Sequence, residues 1–151
     1  MNDKTIDYLL RSTWMHVYKM YTEEASKKGS TMATGFALIS LDAEKGTPST
    51  MLGPKMGIEA TSVSRTLKSM EERGLIERRS NPEDGRSVLI FLTPYGQEMR
   101  EYSKSIVYAF DKAVKENIPE ADLETFKNVA YSIIDLINEN KIYHNKTIKH
   151  A

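Results

Sequence analysis

Apolar and polar residues alternate along this chain with a helical period over most of its length. Ile6, Leu9, Leu10, Trp14, Val17, Tyr18 and Tyr21 form one 3.6-residue stripe, predicting a long amphipathic helix that ends at Lys27-Lys28-Gly29-Ser30. A second helix is expected to start between Thr31 and Thr34 and to carry Phe36, Leu38, Ile39 and Leu41 as far as Lys45-Gly46; it is nearly all apolar and so should be buried. Thr47-Pro48-Ser49-Thr50 reads as a third start, with Thr47 as N-cap and Pro48 at N1, or Ser49 capping one turn later. Gly53-Pro54 inside that segment predicts a helix that is short, kinked or started late. After Met56-Gly57-Ile58, Val63, Leu67 and Met70 fall at i, i+4 and i+7, predicting a fourth helix that stops at Gly74.

The period then changes. Leu75 and Ile76 lead into a strand, Asn81 to Arg86 turns, and Val88 to Leu92 returns as the second arm of a hairpin. Thr93-Pro94 opens a long helix carrying Met99, Tyr102, Ile106, Phe110, Ala113 and Val114, broken at Asn117-Ile118-Pro119. Leu123, Phe126, Val129, Ala130, Ile133, Ile134 and Ile137 predict the last helix. The order is four helices, two strands and two helices: a mainly α chain with a small β-hairpin. Residues 1–151 read as a single domain, in which 31–93 form a compact central module. The helices of 3–29 and 94–141 lie outside it, and 142–151, with Lys146 and Lys149, is a basic tail. Three amphipathic helices on so short a chain should bury more apolar surface between subunits than within one, so 3–29 and 94–141 are expected to be dimerisation helices.

Composition narrows the function classes. With 151 residues, 40% hydrophobic and 28% charged, the chain can build a real core. It has no cysteine, which excludes disulfides, thiolate metal sites and switches based on cysteine oxidation. There is no signal pattern at the start and no apolar run of membrane-spanning length, so no membrane association and a cytoplasmic location are expected. Lys and Arg balance Asp and Glu at 21 each, so charge excess does not point to nucleic acid. Any DNA contact must come from a few placed cations.

The central module supplies such placement. The reading helix of a helix-turn-helix enters the major groove by its N-terminal residues, where short polar side chains allow close approach. Thr61, Ser62 and Ser64 suit phosphate or base-edge hydrogen bonds, Arg65 can pair bidentately with guanine or phosphate, and Lys68 suits a backbone phosphate. At the hairpin tip Arg86 can enter the minor groove, and Asp84 can hold it by a charge-assisted bond. Arg78 and Arg79 point to opposite faces of their strand, so at most one faces DNA. The blander readings are that Thr61 or Ser62 is an N-cap, Arg65 a solvated residue, and the tip an ordinary turn of Asn, Pro, Asp and Gly. The fold expected is a winged helix-turn-helix with N- and C-terminal dimerisation helices.

From Leu52 to Gly96 the chain resembles the MarR family of bacterial transcriptional regulators. The matching pieces are LGPKMGIEATSVSRTLKSMEERGLIERR, the Asp84-Gly85-Arg86 triplet, and Leu92-Thr93-Pro94-Tyr95-Gly96. Gly53-Pro54 departs from the family, which usually has ordinary helix formers there. The resemblance implies a homodimer with the first and last two helices interlocked, and one winged helix on each half-site of an inverted repeat in double-stranded DNA. It also implies that Asp84 orients and Arg86 contacts the minor groove, and that a small-molecule effector binds where the dimer helices meet the winged module.

Trp14, His16, Tyr18 and Tyr21 with Met32 and Phe36 are the candidates for such a pocket, set against the reading that an aromatic stripe at helical spacing is core. His16, His144 and His150 have no metal-ligand spacing, and no nucleophile–base arrangement or phosphate loop stands out, so no metal, no cofactor and no catalysis are expected. The function expected is a homodimeric repressor on an inverted repeat, released by a small apolar or aromatic effector. The alternatives are an effector-independent activator, or a winged-helix protein-interaction module without DNA binding.

Overall fold

The computed structural model describes residues 4–143; His144, Lys146, Lys149, His150 and most of the basic tail of 142–151 lie outside the described residues. Helix α1 runs Ile6–Ser26 and α2 Met32–Ser40. A two-residue strand β1, Thr47–Pro48, leads through one 3₁₀ turn, Ser49–Met51, into α3, Leu52–Met56. Then come α4, Ala60–Glu72, the hairpin β2 (Ile76–Asn81) and β3 (Asp84–Leu92), α5 (Pro94–Asn117) and α6 (Glu120–Asn138). The fold is a winged helix-turn-helix flanked by longer helices. It divides into two compact units within α5, after Tyr108.

In the first unit the apolar sides of α2, α3 and α4 meet the sheet. Ala37, Leu38, Leu41, Leu52, Val63, Leu67, Met70, Leu75, Ile76, Ile90 and Met99 form one buried cluster. The sheet is antiparallel in the order β1-β3-β2, with Thr47 opposite Ile90 and Ile76 opposite Leu92. Two starts match the sequence reading. Thr31 Oγ1 accepts the Thr34 N–H at 3.1 Å to cap α2. Thr93 Oγ1 accepts the Gly96 N–H at 3.0 Å and donates to the Gly74 carbonyl at 2.6 Å, tying the start of α5 to the end of α4. Gly96 is required there: a Cβ at this position would lie 1.9 Å from the Leu75 carbonyl oxygen.

Two expectations about the segment 41–56 are corrected. Helix α2 stops at Ser40, not at Lys45-Gly46, and Leu41 is already extended. Asp42 diverts the chain: its Oδ1 accepts the N–H groups of Glu44 and Lys45 at 2.9 and 2.8 Å. Thr47 is not a helix cap. Its hydroxyl accepts the Asp42 N–H at 3.0 Å, its backbone belongs to β1, and neither it nor Ser49 caps the helical segment that follows. Helix α3 starts late and is five residues long, as Gly53-Pro54 requires. Pro54 falls in its first turn, where backbone donors lack an intrahelical partner in any case. Gly57, with φ of +66°, closes α3 in the left-handed region and sets the turn into α4.

The second unit contains the end of α5 and α6. Helix α6 has a clear apolar face, yet none of its residues is buried in the single chain. Phe126, Val129, Ile134 and Ile137 are each at least half exposed or close to it, Phe126 at 61%.

Candidate nucleic-acid interface

Helix α4 is two-faced. Val63, Leu67 and Met70 are buried, while Thr61, Ser62, Ser64, Arg65 and Lys68 are exposed. With 100° per residue, Thr61, Arg65 and Lys68 stack at i, i+4 and i+7, and Ser64 adjoins Lys68 on the same face. Ser62 stands apart on the flank, below Thr66, whose hydroxyl donates to the Ser62 carbonyl at 3.0 Å. The N-cap of α4 is Glu59, which makes no side-chain cap bond. Capping therefore does not explain Thr61 or Ser62. The hydroxyls of Thr61, Ser62 and Ser64 and the cations of Arg65 and Lys68 form no hydrogen bond or ion pair with the described residues.

A hollow beside this face is lined by Ser49, Thr50, Ser64 and Arg78. Arg78 is held there by Glu71, with Nε 2.9 Å from Oε2. Arg79 turns to the other side of β2, where its guanidinium stacks 4.3 Å from the Phe91 ring centre and pairs with Glu77 at 3.2 Å. The two arginines thus take opposite faces, and both are engaged.

At the wing, Asp84 and Arg86 are brought together, but not as expected. Asp84 Oδ1 accepts the backbone N–H of Arg86 at 3.0 Å, and the Arg86 guanidinium makes no bond with the described residues. The carboxylate fixes the turn and leaves the cation free. Two further residues complete the wing. Asn81 Oδ1 accepts the Glu83 N–H at 3.0 Å, and Asn81 Nδ2 donates to Ser87 Oγ at 2.9 Å. Sequence reasoning placed Asn81 in the tip without a task; the Asn-Pro step, a common turn initiator, was the available signal.

The candidate pocket residues divide. Tyr21, Met32 and Phe36 line a cleft with Ala25, Ser30 and residues of α5 including Tyr102 and Ile106. The space inside it is about 30 Å³, roughly enough for one water, so a ligand must widen the cleft to enter it. Trp14, His16 and Tyr18 do not line it. They lie on the exposed side of α1, where Trp14 and Tyr18 meet edge to face at 6.4 Å and His16 Nδ1 is 2.6 Å from the Ser12 carbonyl. The reason is helical: Tyr21 and Ala25 are the buried residues of α1. Ser30 Oγ, in the cleft, is buried without a hydrogen-bond partner among the described residues. Among those residues no group of three or more His, Asp and Glu side chains could hold a metal, and no helix is long and apolar enough to cross a membrane.

A helix with one buried and one polar, unpaired face, backed by a short helix and flanked by an Arg-tipped hairpin, defines a winged helix-turn-helix protein. The sequence model of the MarR family matches residues 31–88. The chain is 39% identical over 67 residues to the HTH-type transcriptional regulator YdgJ of Bacillus subtilis (strain 168), covering 44% of this chain and 41% of that protein. It is 26% identical over 132 residues to the organic hydroperoxide resistance transcriptional regulator of the same organism, covering 87% and 88%. A solved complex of S. aureus MepR with DNA superposes with a TM-score of 0.81 at 20% identity, over 88% of this chain and 98% of that one. The winged helix-turn-helix of this chain is thus similar to that of the MarR family, and the relatives named here are transcriptional regulators.

Proposed function

We propose that the chain is a cytoplasmic, homodimeric transcription regulator that binds an inverted repeat in double-stranded DNA and represses by occupying it. The observation that carries this reading is the face of α4: Thr61, Ser64, Arg65 and Lys68 are exposed and unpaired, while the opposite face is buried. Arg65 reads a guanine or a phosphate, Lys68 and the hydroxyls of Thr61, Ser62 and Ser64 hold the backbone, and Arg86 enters the minor groove from a turn set by Asp84. Dimerisation is supported by the unburied apolar face of α6, since a soluble amphipathic helix needs a partner for that face. A dimer sets two reading helices roughly 34 Å apart, about one turn of DNA. A small apolar or aromatic effector is assigned to the cleft of Tyr21, Met32, Phe36 and Tyr102, where the buried Ser30 hydroxyl offers it one hydrogen bond.

Selection of duplexes from a random pool by the purified protein tests the reading. An enriched inverted repeat is the expected result, and no enrichment overturns it. A second reading, a winged helix that docks a protein instead, is favoured by one observation: the zero net charge. Salt separates the two, because DNA binding falls steeply with rising salt through counterion release.

A further inference from the structure

The wing is bulged as well as turned. Ser80 pairs with Val88, but the next residue, Asn81, pairs with Asp84, so Gly85, Arg86 and Ser87 are extra residues on β3. A bulge of this kind carries Arg86 out of the ladder, and without side-chain support such a segment samples many conformations. Here the support is closed. The Glu83 N–H can only donate, so its partner on Asn81 must be Oδ1, and that leaves Nδ2 facing Ser87. Ser87 Oγ accepts from Asn81 and donates onward to the Asp84 carbonyl at 3.3 Å. The Asp84 side chain then accepts the Arg86 N–H. Asn81, Ser87 and Asp84 thus fix the chain on both sides of Arg86, and of the three only Asp84 bonds to Arg86, through its backbone N–H.

We infer that Asn81 and Ser87 are positioning residues for Arg86, holding the bulge in its DNA-reading form before DNA arrives. The inference rests on the DNA-reading function proposed above. Its physical basis is preorganisation: a segment already ordered loses less entropy on binding, so the same Arg contact yields more affinity. Ser87 serves as the latch, because a hydroxyl both accepts and donates and can link Asn81 to Asp84.

The test is a double-mutant cycle on the full-length protein, with the duplex enriched by the wild type as probe. Asn81→Ala and Ser87→Ala are each expected to weaken binding about tenfold, two wings counted. Ser87→Thr, which keeps the hydroxyl, should bind nearly as the wild type does. In an Arg86→Ala background, Asn81→Ala should cost no further affinity, because nothing remains for it to position. Amide hydrogen exchange at Arg86 in the free protein should be faster in Asn81→Ala. An additive loss in the cycle, or unchanged exchange at Arg86, overturns the inference while leaving the DNA-reading function standing. A wild type that binds no duplex overturns that function and this role together.

Discussion

Arg73 and Gly29 are bonded across 44 residues of sequence: Arg73 Nη2 donates to the Gly29 carbonyl at 2.7 Å. Arg73 is the C-cap of α4, and Gly29 follows the end of α1. The bond therefore ties α4 to the turn that leads into the cleft-lining residues Ser30 and Thr31. Its loss is a loss of one charge-assisted bond at an exposed site. Arg73→Ala is expected to cost about 1 kcal/mol, lowering the thermal midpoint by about 2–4 °C at fixed protein concentration. A midpoint equal to that of the wild type would show that the tie contributes nothing.

Gly96 is under a stricter constraint. The Cβ of Gly96→Ala would meet a backbone carbonyl, that of Leu75, which cannot rotate away. The first turn of α5 would have to move off the end of α4 and strain the Thr93 bonds to Gly74 and Gly96. Overpacking of this kind costs about 1–3 kcal/mol. Urea unfolding of Gly96→Ala should show a lowered midpoint; an unshifted curve would mean that the side chain is accommodated freely.

The contrast between these two sites bears on what the sequence made legible. The need for Gly96 comes from Leu75, 21 residues away, whereas Thr93 and Pro94 act as cap and proline within the first turn of α5, and local signals of that kind read correctly. So did α4, because Val63, Leu67 and Met70 carry their period in thirteen residues. The end of α2 did not, since Ala43, Glu44 and Lys45 are good helix formers. What stops the helix is Asp42 bonding forward and Thr47 pairing with Ile90, a partner 43 residues away. The cleft was half legible for the same reason: Met32 and Phe36 were found on their helix, whereas Tyr102 and Ile106 arrive from α5. At the wing, both the amide and the guanidinium of Arg86 were within reach of Asp84. Spacing alone could not choose between them.

Asp42 also gives the molecule a defined pH response. Two backbone donors, first the Lys45 N–H and then that of Glu44, hold its carboxylate below the ordinary range. A depressed folded pKa means that the unfolded chain binds the proton more readily, so stability rises with pH across this window. The contribution is fully present above the unfolded value of about 4 and is lost as pH falls through the lower folded value. Asp42→Ala should therefore be less stable than the wild type at pH 7, with the gap closing toward pH 3. Urea midpoints for both proteins at the two pH values check this; a gap of constant size would assign the loss to something other than the charge.

Arg86 is expected to act on DNA and not on assembly. Its side chain is exposed and unbonded within the chain, so Arg86→Ala should leave the thermal midpoint and the oligomeric state unchanged. Affinity for the selected duplex should fall by about 1–3 kcal/mol, and the salt slope should flatten by about one unit for each phosphate that Arg86 neutralises. Titrations by fluorescence anisotropy at several salt concentrations measure both. Unchanged affinity would remove the minor-groove role from the wing.

The apolar face of α6 makes the last requirement. Phe126 and Ile137 are 61% and 57% exposed in one chain, and burying a large apolar side chain contributes about 1.5–3 kcal/mol. A symmetric dimer counts each such residue twice, once from each subunit. Placing a carboxylate at either position therefore opposes assembly by several kcal/mol, and neither residue belongs to the buried cluster of the winged module. Phe126→Glu and Ile137→Glu should sediment as monomers at concentrations where the proposed dimer forms in the wild type. Each monomer then offers one reading helix and one wing, and with a net charge of zero it has no long-range attraction to make up for the missing half-site. Its affinity should fall on the inverted repeat far more than on a single half-site. If either variant kept both the dimer and the full affinity, the face of α6 would not be where the two copies meet.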